Sequence, residues 1–138
     1  MMADAFAEDA EPLTDEYLVS LLGRGSFWAI AAAVGRDIVG GITAYTLPMT
    51  RSPSSEMFIY DLAVRADFRR RGVGSRLILA LREAAAAAGL GDVFVAADDA
   101  DTHALDFYRA QGATASPVTF FTFTDVAASS KGGRLIPG

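Results

Sequence analysis

A strand-like run that leads into a long helical pattern is the feature that most constrains the fold of this chain. Residues Met57–Val64 are rich in β-branched and aromatic side chains, which is typical of a strand. The helical pattern follows and places apolar residues at helical spacing: Leu77, Ile78, Leu81 and Ala84. Strand-like and helical segments alternate along the 138 residues. This order predicts a single α/β (α+β) domain.

The turn between this strand and helix has the composition of a phosphate-binding site. It consists of seven residues: Arg69, Arg70, Arg71, Gly72, Val73, Gly74 and Ser75. Glycine allows close approach of a ligand to the backbone because it has no Cβ. A helix that begins here directs unpaired N–H groups and its positive dipole end at the same point. We therefore predict a phosphate site, with a solvated basic helix start as the structural alternative.

The spacing of the glycines excludes two common phosphate-binding motifs. A Walker loop would need a Gly-Lys-Ser/Thr sequence, and the dinucleotide fingerprint would need a glycine where Leu77 stands. What remains is Arg-x-x-Gly-x-Gly at residues 69–74, after Leu62, Ala63 and Val64. This pattern resembles motif A of the GNAT superfamily of N-acetyltransferases. The resemblance implies acetyl-CoA as the cofactor, its pyrophosphate on the turn and its pantetheine arm along these three strand residues.

A second signature of the same superfamily lies further along the chain. It reads Ala-x-x-Phe-Tyr and is formed by Ala104, Phe107 and Tyr108, with Gly112 one turn later. The resemblance implies that Tyr108 protonates the departing thiolate, which a phenol with a pKa near 10 can do at neutral pH. It also implies cofactor contacts for Ala104, Phe107 and Asp101, although many relatives carry Asn in place of Asp101. The structural alternative for Tyr108 is a core aromatic residue.

A carboxylate is expected near the acceptor because an amine must lose its proton before it attacks a thioester. Asp61 is the first candidate, since an acid within an otherwise apolar strand is costly unless it faces a polar site. The alternative is a solvated residue at a strand bulge. Four further residues are weaker candidates for substrate binding: Glu56, Tyr60, Asp98 and Asp99.

The strand that contains Asp61 carries the most specific resemblance. Residues 56–64 read Glu-Met-Phe-Ile-Tyr-Asp-Leu-Ala-Val. They resemble the Glu-x-x-Ile-Tyr-Asp-Leu-Ala-Val segment of aminoglycoside 3-N-acetyltransferases of the gentamicin-resistance type, and the similarity covers roughly residues 14–124. It implies a mixed, splayed sheet flanked by helices, an aminoglycoside as acceptor, and direct attack in a ternary complex. Alternatives are another cationic amine, such as a polyamine or a protein N-terminus, and a non-catalytic acyl-CoA-binding module.

The charges of the chain are segregated and favour a small cationic substrate. The net charge is −5, with acids concentrated in residues 1–16 and 98–106 and arginines at the turn. Nucleic acid would require an extended basic face. There is no cysteine and one histidine, so we expect no metal site. The longest apolar run, Phe27–Val34, is too short to cross a bilayer, and we expect a cytoplasmic protein without a membrane partner.

The remaining segments predict one domain over residues 1–138, with residues 1–12 and 126–138 loosely ordered. The other elements follow from periodicity and turn signals: a helix from Asp15, strands Phe27–Val34, Ile38–Leu47, Asp92–Ala97 and Val118–Thr124, and a helix His103–Gln111. We expect Phe120, Phe121 and Phe123 to pack against the sheet. The superfamily usually begins with a further strand. The shortened N-terminus therefore predicts a trimmed start or a second chain, as in a homodimer, over that edge.

Overall fold

The computed structural model describes residues 14–125, and the expectations for residues 1–12 and 126–138 lie outside this range. The elements in chain order are α1 (Asp15–Leu22), β1 (Phe27–Val34), β2 (Asp37–Pro48), β3 (Ser55–Val64), a 3₁₀ helix (Ala66–Phe68), α2 (Val73–Ala87), β4 (Val93–Val95) and α3 (Thr102–Ala110). Within this range no helix combines the length and the apolar character needed to cross a membrane.

The four strands form one sheet in the order β1-β2-β3-β4. The first three strands are antiparallel to their neighbours, and β4 is parallel to β3. Pairing between β3 and β4 runs only from Met57↔Val93 to Ile59↔Val95, while β3 continues to Val64. β3 therefore extends beyond the paired region, and the predicted mixed, splayed sheet flanked by helices is confirmed.

The core lies between the sheet and α2. Alternate residues of β2 and β3 face this helix, because successive side chains of a strand point to opposite faces. The buried cluster consists of Ile42, Ala44, Met57, Ile59, Leu77, Ile78, Leu81 and Ala85. Leu81 is fully buried at its centre. Leu62 and Val64 at the end of β3 and Val73 at the beginning of α2 also pack against this cluster, which holds the glycine-containing turn between the two elements.

The face of the sheet opposite α2 carries a row of aromatic rings, here called the aromatic row. Its members are Phe27, Tyr45, Tyr60, Phe58 and Phe94, which together come from all four strands. Neighbouring ring centroids are 5.0 to 6.2 Å apart. Aromatic pairs favour offset-stacked or edge-to-face contacts at such distances. The row therefore forms a continuous aromatic surface across the sheet.

The expected strand Val118–Thr124 is absent from the described part of the chain, and this prediction was wrong. Phe120, Phe121 and Phe123 do not pack against the sheet; Phe121, for example, is 84% exposed. The segment has a strand-like composition, but such a composition records fit to a half-buried paired surface rather than an intrinsic backbone preference. The strand expected at Asp92–Ala97 is also shorter and spans Val93–Val95. The other elements begin and end within three residues of the expected positions.

Candidate functional site

The turn between β3 and α2 has an unusual backbone conformation. Gly72 has a φ of 80°, and a Cβ built on it would meet no atom within 4 Å. Arg70 has a φ of 63°, which is uncommon for a residue with a side chain. Turns that include left-handed residues can direct successive N–H groups toward one point and form concave anion sites. The space next to Gly72 is therefore open to a negatively charged ligand.

The N-terminus of α2 adds hydrogen-bond donors to the same place. Gly72 is the N-cap residue, and no side chain caps the helix. The bond from Arg76 N to Gly72 O, 3.0 Å long, leaves the preceding amides of Val73, Gly74 and Ser75 outside the intrahelical pattern. Such amides and the helix dipole form a favourable anion site. The fit to a diphosphate group thus rests on both backbone geometry and charge.

Three arginine side chains of the segment before α2 make contacts within that segment. Arg65 and Arg71 place their guanidinium groups 5.4 and 5.0 Å from the ring centre of Phe68. Arg65 also pairs with Asp67 at 2.8 Å. Arg69 Nε donates to the carbonyl of Val64 at 3.2 Å, so a carbonyl expected to contact the pantetheine arm already has one partner. A carbonyl oxygen can accept a second bond.

Gly74 has a packing role that the sequence did not indicate. A Cβ at Gly74 would lie 3.1 Å from Cζ of Phe107, so a side chain there would require the ring to shift by a few tenths of an ångström. Gln111 Nε2 also donates to Ser75 Oγ at 2.9 Å. Both contacts join α3 to the first turn of α2. They bring the two superfamily motifs together and position Tyr108, the neighbour of Phe107.

Tyr108 lies half-buried on α3 and packs against the core cluster. Its ring contacts that of Phe107 edge to face, with centroids 5.2 Å apart. Burial and, to a lesser extent, the negative charge of Asp101 raise the pKa of Tyr108 above its ordinary value. The phenol therefore stays protonated at neutral pH, as a proton donor requires. Asp101 also caps α3, because its Oδ1 accepts from Ala104 N at 3.0 Å.

Asp61 lies at a β-bulge of β3, the structural alternative that the sequence allows for this residue. Thr43 pairs with Asp61 and Ala44 pairs with Ile59, so Tyr60 is the additional residue of a β-bulge. Asp61 is partly buried, and burial raises the pKa of its carboxyl group. The buried hydroxyl of Thr43 meets no hydrogen-bond partner within residues 14–125. Its opposing influence on the pKa of Asp61 therefore reflects proximity rather than a well-formed bond.

A cleft of about 670 Å³ lies beside β4 and α3. Its lining includes Phe58 and Phe94 of the aromatic row together with Tyr108, Asp98 and Asp99. Asp98 also accepts from Ala100 N at 2.8 Å, which shapes the loop before α3. The structure thus brings three of the expected site residues to one cavity.

The other acceptor-side candidates lie on β3. The register places Asp61 opposite Thr43 on the sheet face away from α2, and the contact of Tyr60 with Tyr45 puts its ring on the same face. Glu56 pairs with Leu47 near the beginning of the strand. These residues are outside the lining of the cleft, but they share a sheet face with Phe58, which belongs to it.

Comparison of the sequence with known protein families identifies the family of this chain. The acetyltransferase (GNAT) family matches residues 2–113. The chain belongs to the GNAT acetyltransferase family. Members of this family use acetyl-CoA, which is therefore the cofactor of this acetyltransferase. The open glycine, the free helix amides and the arginines fit the diphosphate of this cofactor.

Two solved structures of aminoglycoside acetyltransferases are similar to this chain in both sequence and fold. One is an aminoglycoside acetyltransferase from an uncultured soil metagenomic sample, in complex with trehalose, with 35% identity and a TM-score of 0.82. The alignment covers 86% of this GNAT chain and 78% of that one. A second aminoglycoside acetyltransferase from an uncultured soil metagenomic sample has 36% identity and a TM-score of 0.76, with coverage of 83% and 76%. The resemblance inferred from the sequence is thus confirmed at the family level.

A more distant structure shows the same fold. AAC(6′)-Iy, solved with the bisubstrate analogue CoA-S-monomethyl-acetylneamine, has 17% identity and a TM-score of 0.73, with coverage of 88% of this GNAT chain and 84% of that one. Comparison with proteins of curated function gave no significant match.

Proposed function

We propose that this GNAT acetyltransferase moves the acetyl group of acetyl-CoA to an amine of an aminoglycoside, at the 3-N position, and so confers resistance to the antibiotic. The observation that carries the proposal is the partly buried carboxylate of Asp61 at the bulge of β3. Solved relatives at 35% identity support it, because one of them is an aminoglycoside acetyltransferase in complex with sisomicin.

The proposed cofactor site consists of the turn before α2 and the part of β3 that extends beyond β4. The amides of residues 73–75 and the side chains of residues 69–71 hold the diphosphate group through hydrogen bonds and charge. Arg65 N donates to Val39 O of β2, so the backbone groups of Leu62 and Val64 face the side left open where β4 ends, with Ala63 between them. In this proposal they pair with the pantetheine arm. Ala104, Phe107 and Asp101 of the α3 region flank that arm. Bound in this way, acetyl-CoA supplies the activated acetyl group.

The proposed chemistry uses two residues of opposite character. Asp61 attracts the protonated acceptor and takes a proton from its ammonium group, which frees the nitrogen lone pair for attack. The new N–C bond forms as the C–S bond breaks. Tyr108 donates its phenolic proton to the departing sulfur, and its raised pKa keeps that proton available. The acylated nitrogen loses a second proton, which restores the phenol, so the products are the amide and the thiol of coenzyme A. The transfer proposed here involves no metal ion and no acylated side chain.

The surrounding acids give the proposed site a preference for polycations. Glu56 lies near the beginning of β3, and Asp98 and Asp99 line the cleft. In this proposal these three acids provide further positions for ammonium groups. Tyr60 contributes an exposed aromatic ring beside Asp61. The net charge of −5 also attracts cations over a longer range at low salt. In this proposal residues 1–138 act as one domain in the cytoplasm, alone or as a homodimer.

Thiol release from acetyl-CoA tests the proposal directly. The chain is mixed with acetyl-CoA and, in separate reactions, with sisomicin, gentamicin, spermidine and a peptide with a free N-terminus. We expect the highest kcat/KM for the aminoglycosides, with the position of the new amide assigned by NMR. A preference for spermidine or the peptide would refute the substrate while the family assignment stands. Coenzyme A binding without turnover on any amine would indicate a non-catalytic module.

A further inference from the structure

The chemistry above assigns a role to the carboxylate of Asp61 and the hydroxyl of Tyr108, and it places the Tyr60 ring beside the substrate without saying what that ring binds. Tyr60, a member of the aromatic row, directly precedes Asp61 in β3, and Tyr45 of the same row contacts Tyr60. Their ring centroids are 5.6 Å apart and their planes are nearly perpendicular, at 88°. The bulge creates this contact, because it adds Tyr60 to β3 at the point where Thr43 pairs with Asp61.

Exposure distinguishes Tyr60 from a packing residue. Tyr60 is 63% exposed, whereas Met57 and Ile59, which face α2 from the same strand, are buried. Tyr45 is half-buried below it and also contacts Phe27 at 5.2 Å, which holds the pair in place. The Tyr60 ring also contacts that of Phe58, with centroids 6.2 Å apart. An aromatic ring that is held at its edges by neighbours and is otherwise exposed offers a rigid apolar surface at a small cost in conformational entropy.

The carboxylate beside this surface indicates the chemistry of its ligand. A saturated sugar ring presents C–H groups on its faces and polar substituents at its edge. An amino sugar can therefore lay one face on the Tyr60 ring while an ammonium group at its edge reaches Asp61. A linear polyamine has the ammonium groups without the ring face, and a neutral sugar has the ring without the charge.

We propose that Tyr45 and Tyr60 form a platform that binds a ring of the cationic amino sugar whose ammonium group lies on Asp61. This inference rests on the proposed function and deepens it. The ring pair selects cyclic amines over linear polyamines of similar charge, and the acids alone supply the attraction for cations. Tyr45 positions Tyr60 through the edge-to-face contact.

The test compares Tyr60→Leu, which removes the ring, with Tyr60→Phe, which keeps it. Calorimetry with coenzyme A present gives the Kd for sisomicin and for spermidine. We expect Tyr60→Leu to weaken sisomicin binding about tenfold more than spermidine binding, a difference of about 1.4 kcal/mol. Tyr60→Phe keeps the ring and is expected to bind sisomicin with the affinity of the wild type. Phe121→Leu is a matched control, because it removes an aromatic ring that is 84% exposed and lies outside the platform.

The outcomes separate the platform from the proposed function. Equal sisomicin affinity of Tyr60→Leu and wild type overturns the platform and leaves the function standing. An equal loss for spermidine also overturns it, since the ring would then act through cation–π attraction. Wild type that binds sisomicin without acetylating it refutes the function, while the platform is still judged by the two Kd values. Tyr45→Leu repeats the test if thermal melting shows that Tyr60→Leu does not fold.

Discussion

The ring of Phe107 occupies the space that a side chain at Gly74 would need. A Cβ at Gly74 would lie 3.1 Å from Cζ and 3.2 Å from Cε1 of Phe107. The second glycine of the Arg-x-x-Gly-x-Gly motif therefore serves the packing of α3 on α2. Because Tyr108 follows Phe107, this contact also determines where the proposed acid lies relative to the cofactor turn.

Gly74→Ala is expected to destabilise the protein and to lower kcat, because the added methyl group displaces Phe107 and with it Tyr108. Overpacking of this kind costs about 1–3 kcal/mol. Chemical denaturation measures the stability and thiol release measures the turnover. The double variant with Phe107→Leu is expected to recover part of both losses. A single variant with unchanged stability and turnover would contradict the packing role.

Gly72 tests the phosphate site without this contact, since a Cβ at Gly72 meets no neighbour. Gly72→Asn and Gly72→Asp both require the left-handed conformation, which these two residues tolerate better than most others. Only Asp adds a negative charge. We expect acetyl-CoA to bind Gly72→Asp at least about tenfold more weakly than Gly72→Asn, or about 1.4 kcal/mol, as measured by calorimetry. Equal affinities of the two variants would contradict the proposal that this turn binds the diphosphate group.

Tyr108→Phe is expected to retain the fold and acetyl-CoA affinity and to lower kcat by about 10²-fold, because it removes the proposed proton donor. The pH dependence gives a second measurement. A proton donor is lost as the pH rises through its pKa, and the pKa of Tyr108 is raised by burial. Activity of the wild type is therefore expected to persist beyond the ordinary pKa of a phenol, about 10, on the alkaline side of the profile. Wild-type turnover in the variant would assign Tyr108 to packing.

Asp61→Asn retains the shape of the side chain and removes its charge. We expect kcat/KM for gentamicin and sisomicin to fall by about 10²-fold or more while acetyl-CoA affinity stays unchanged. Full activity of Asp61→Asn on gentamicin would show that Asp61 is not the base, and Glu56 or the loop of Asp98 and Asp99 would then be tested for this role. High salt is expected to weaken capture of the polycation by the wild type.

The same substitution has a predicted effect on stability. Burial raises the pKa of Asp61, so the folded state binds its proton more tightly than the unfolded state. Stability therefore decreases as the pH rises from the ordinary aspartate pKa, about 3.9, through the raised value. Asp61→Asn is expected to remove this decrease, and its melting temperature at neutral pH should equal or exceed that of the wild type. A clearly lower melting temperature would contradict a desolvated carboxylate.

The sequence predicted the parts of the fold that local patterns determine. The alternation in β3, the glycines of the turn and the helical spacing in α2 are local, and the elements they predict are present. The contacts that depend on distant segments were not predicted. The Phe107–Gly74 contact and the Gln111–Ser75 hydrogen bond join residues more than thirty positions apart, and no local pattern encodes them.

The bulge and the unformed strand show two further limits. Asp61 signalled a break in the apolar alternation of β3, but only the register with β2 shows that Tyr60 is the additional residue. Residues 118–124 have strand-like composition, yet a strand also requires a partner with free backbone groups. In the described chain β4 ends at Val95, and these residues form no pairing.

The early end of β4 has a thermodynamic consequence. Beyond Ile59 the outward backbone groups of β3 have no strand beside them in the sheet. A pantetheine arm bound there as proposed supplies the missing hydrogen-bond partners, so the cofactor completes the sheet as well as delivering the acetyl group. Any ligand that binds only the native state stabilises it by mass action, by about 2.7 kcal/mol at a hundred times its Kd. The folded lifetime of this enzyme would then depend on the acetyl-CoA and coenzyme A concentrations around it, and slow proteolysis at varied cofactor concentration would measure that dependence.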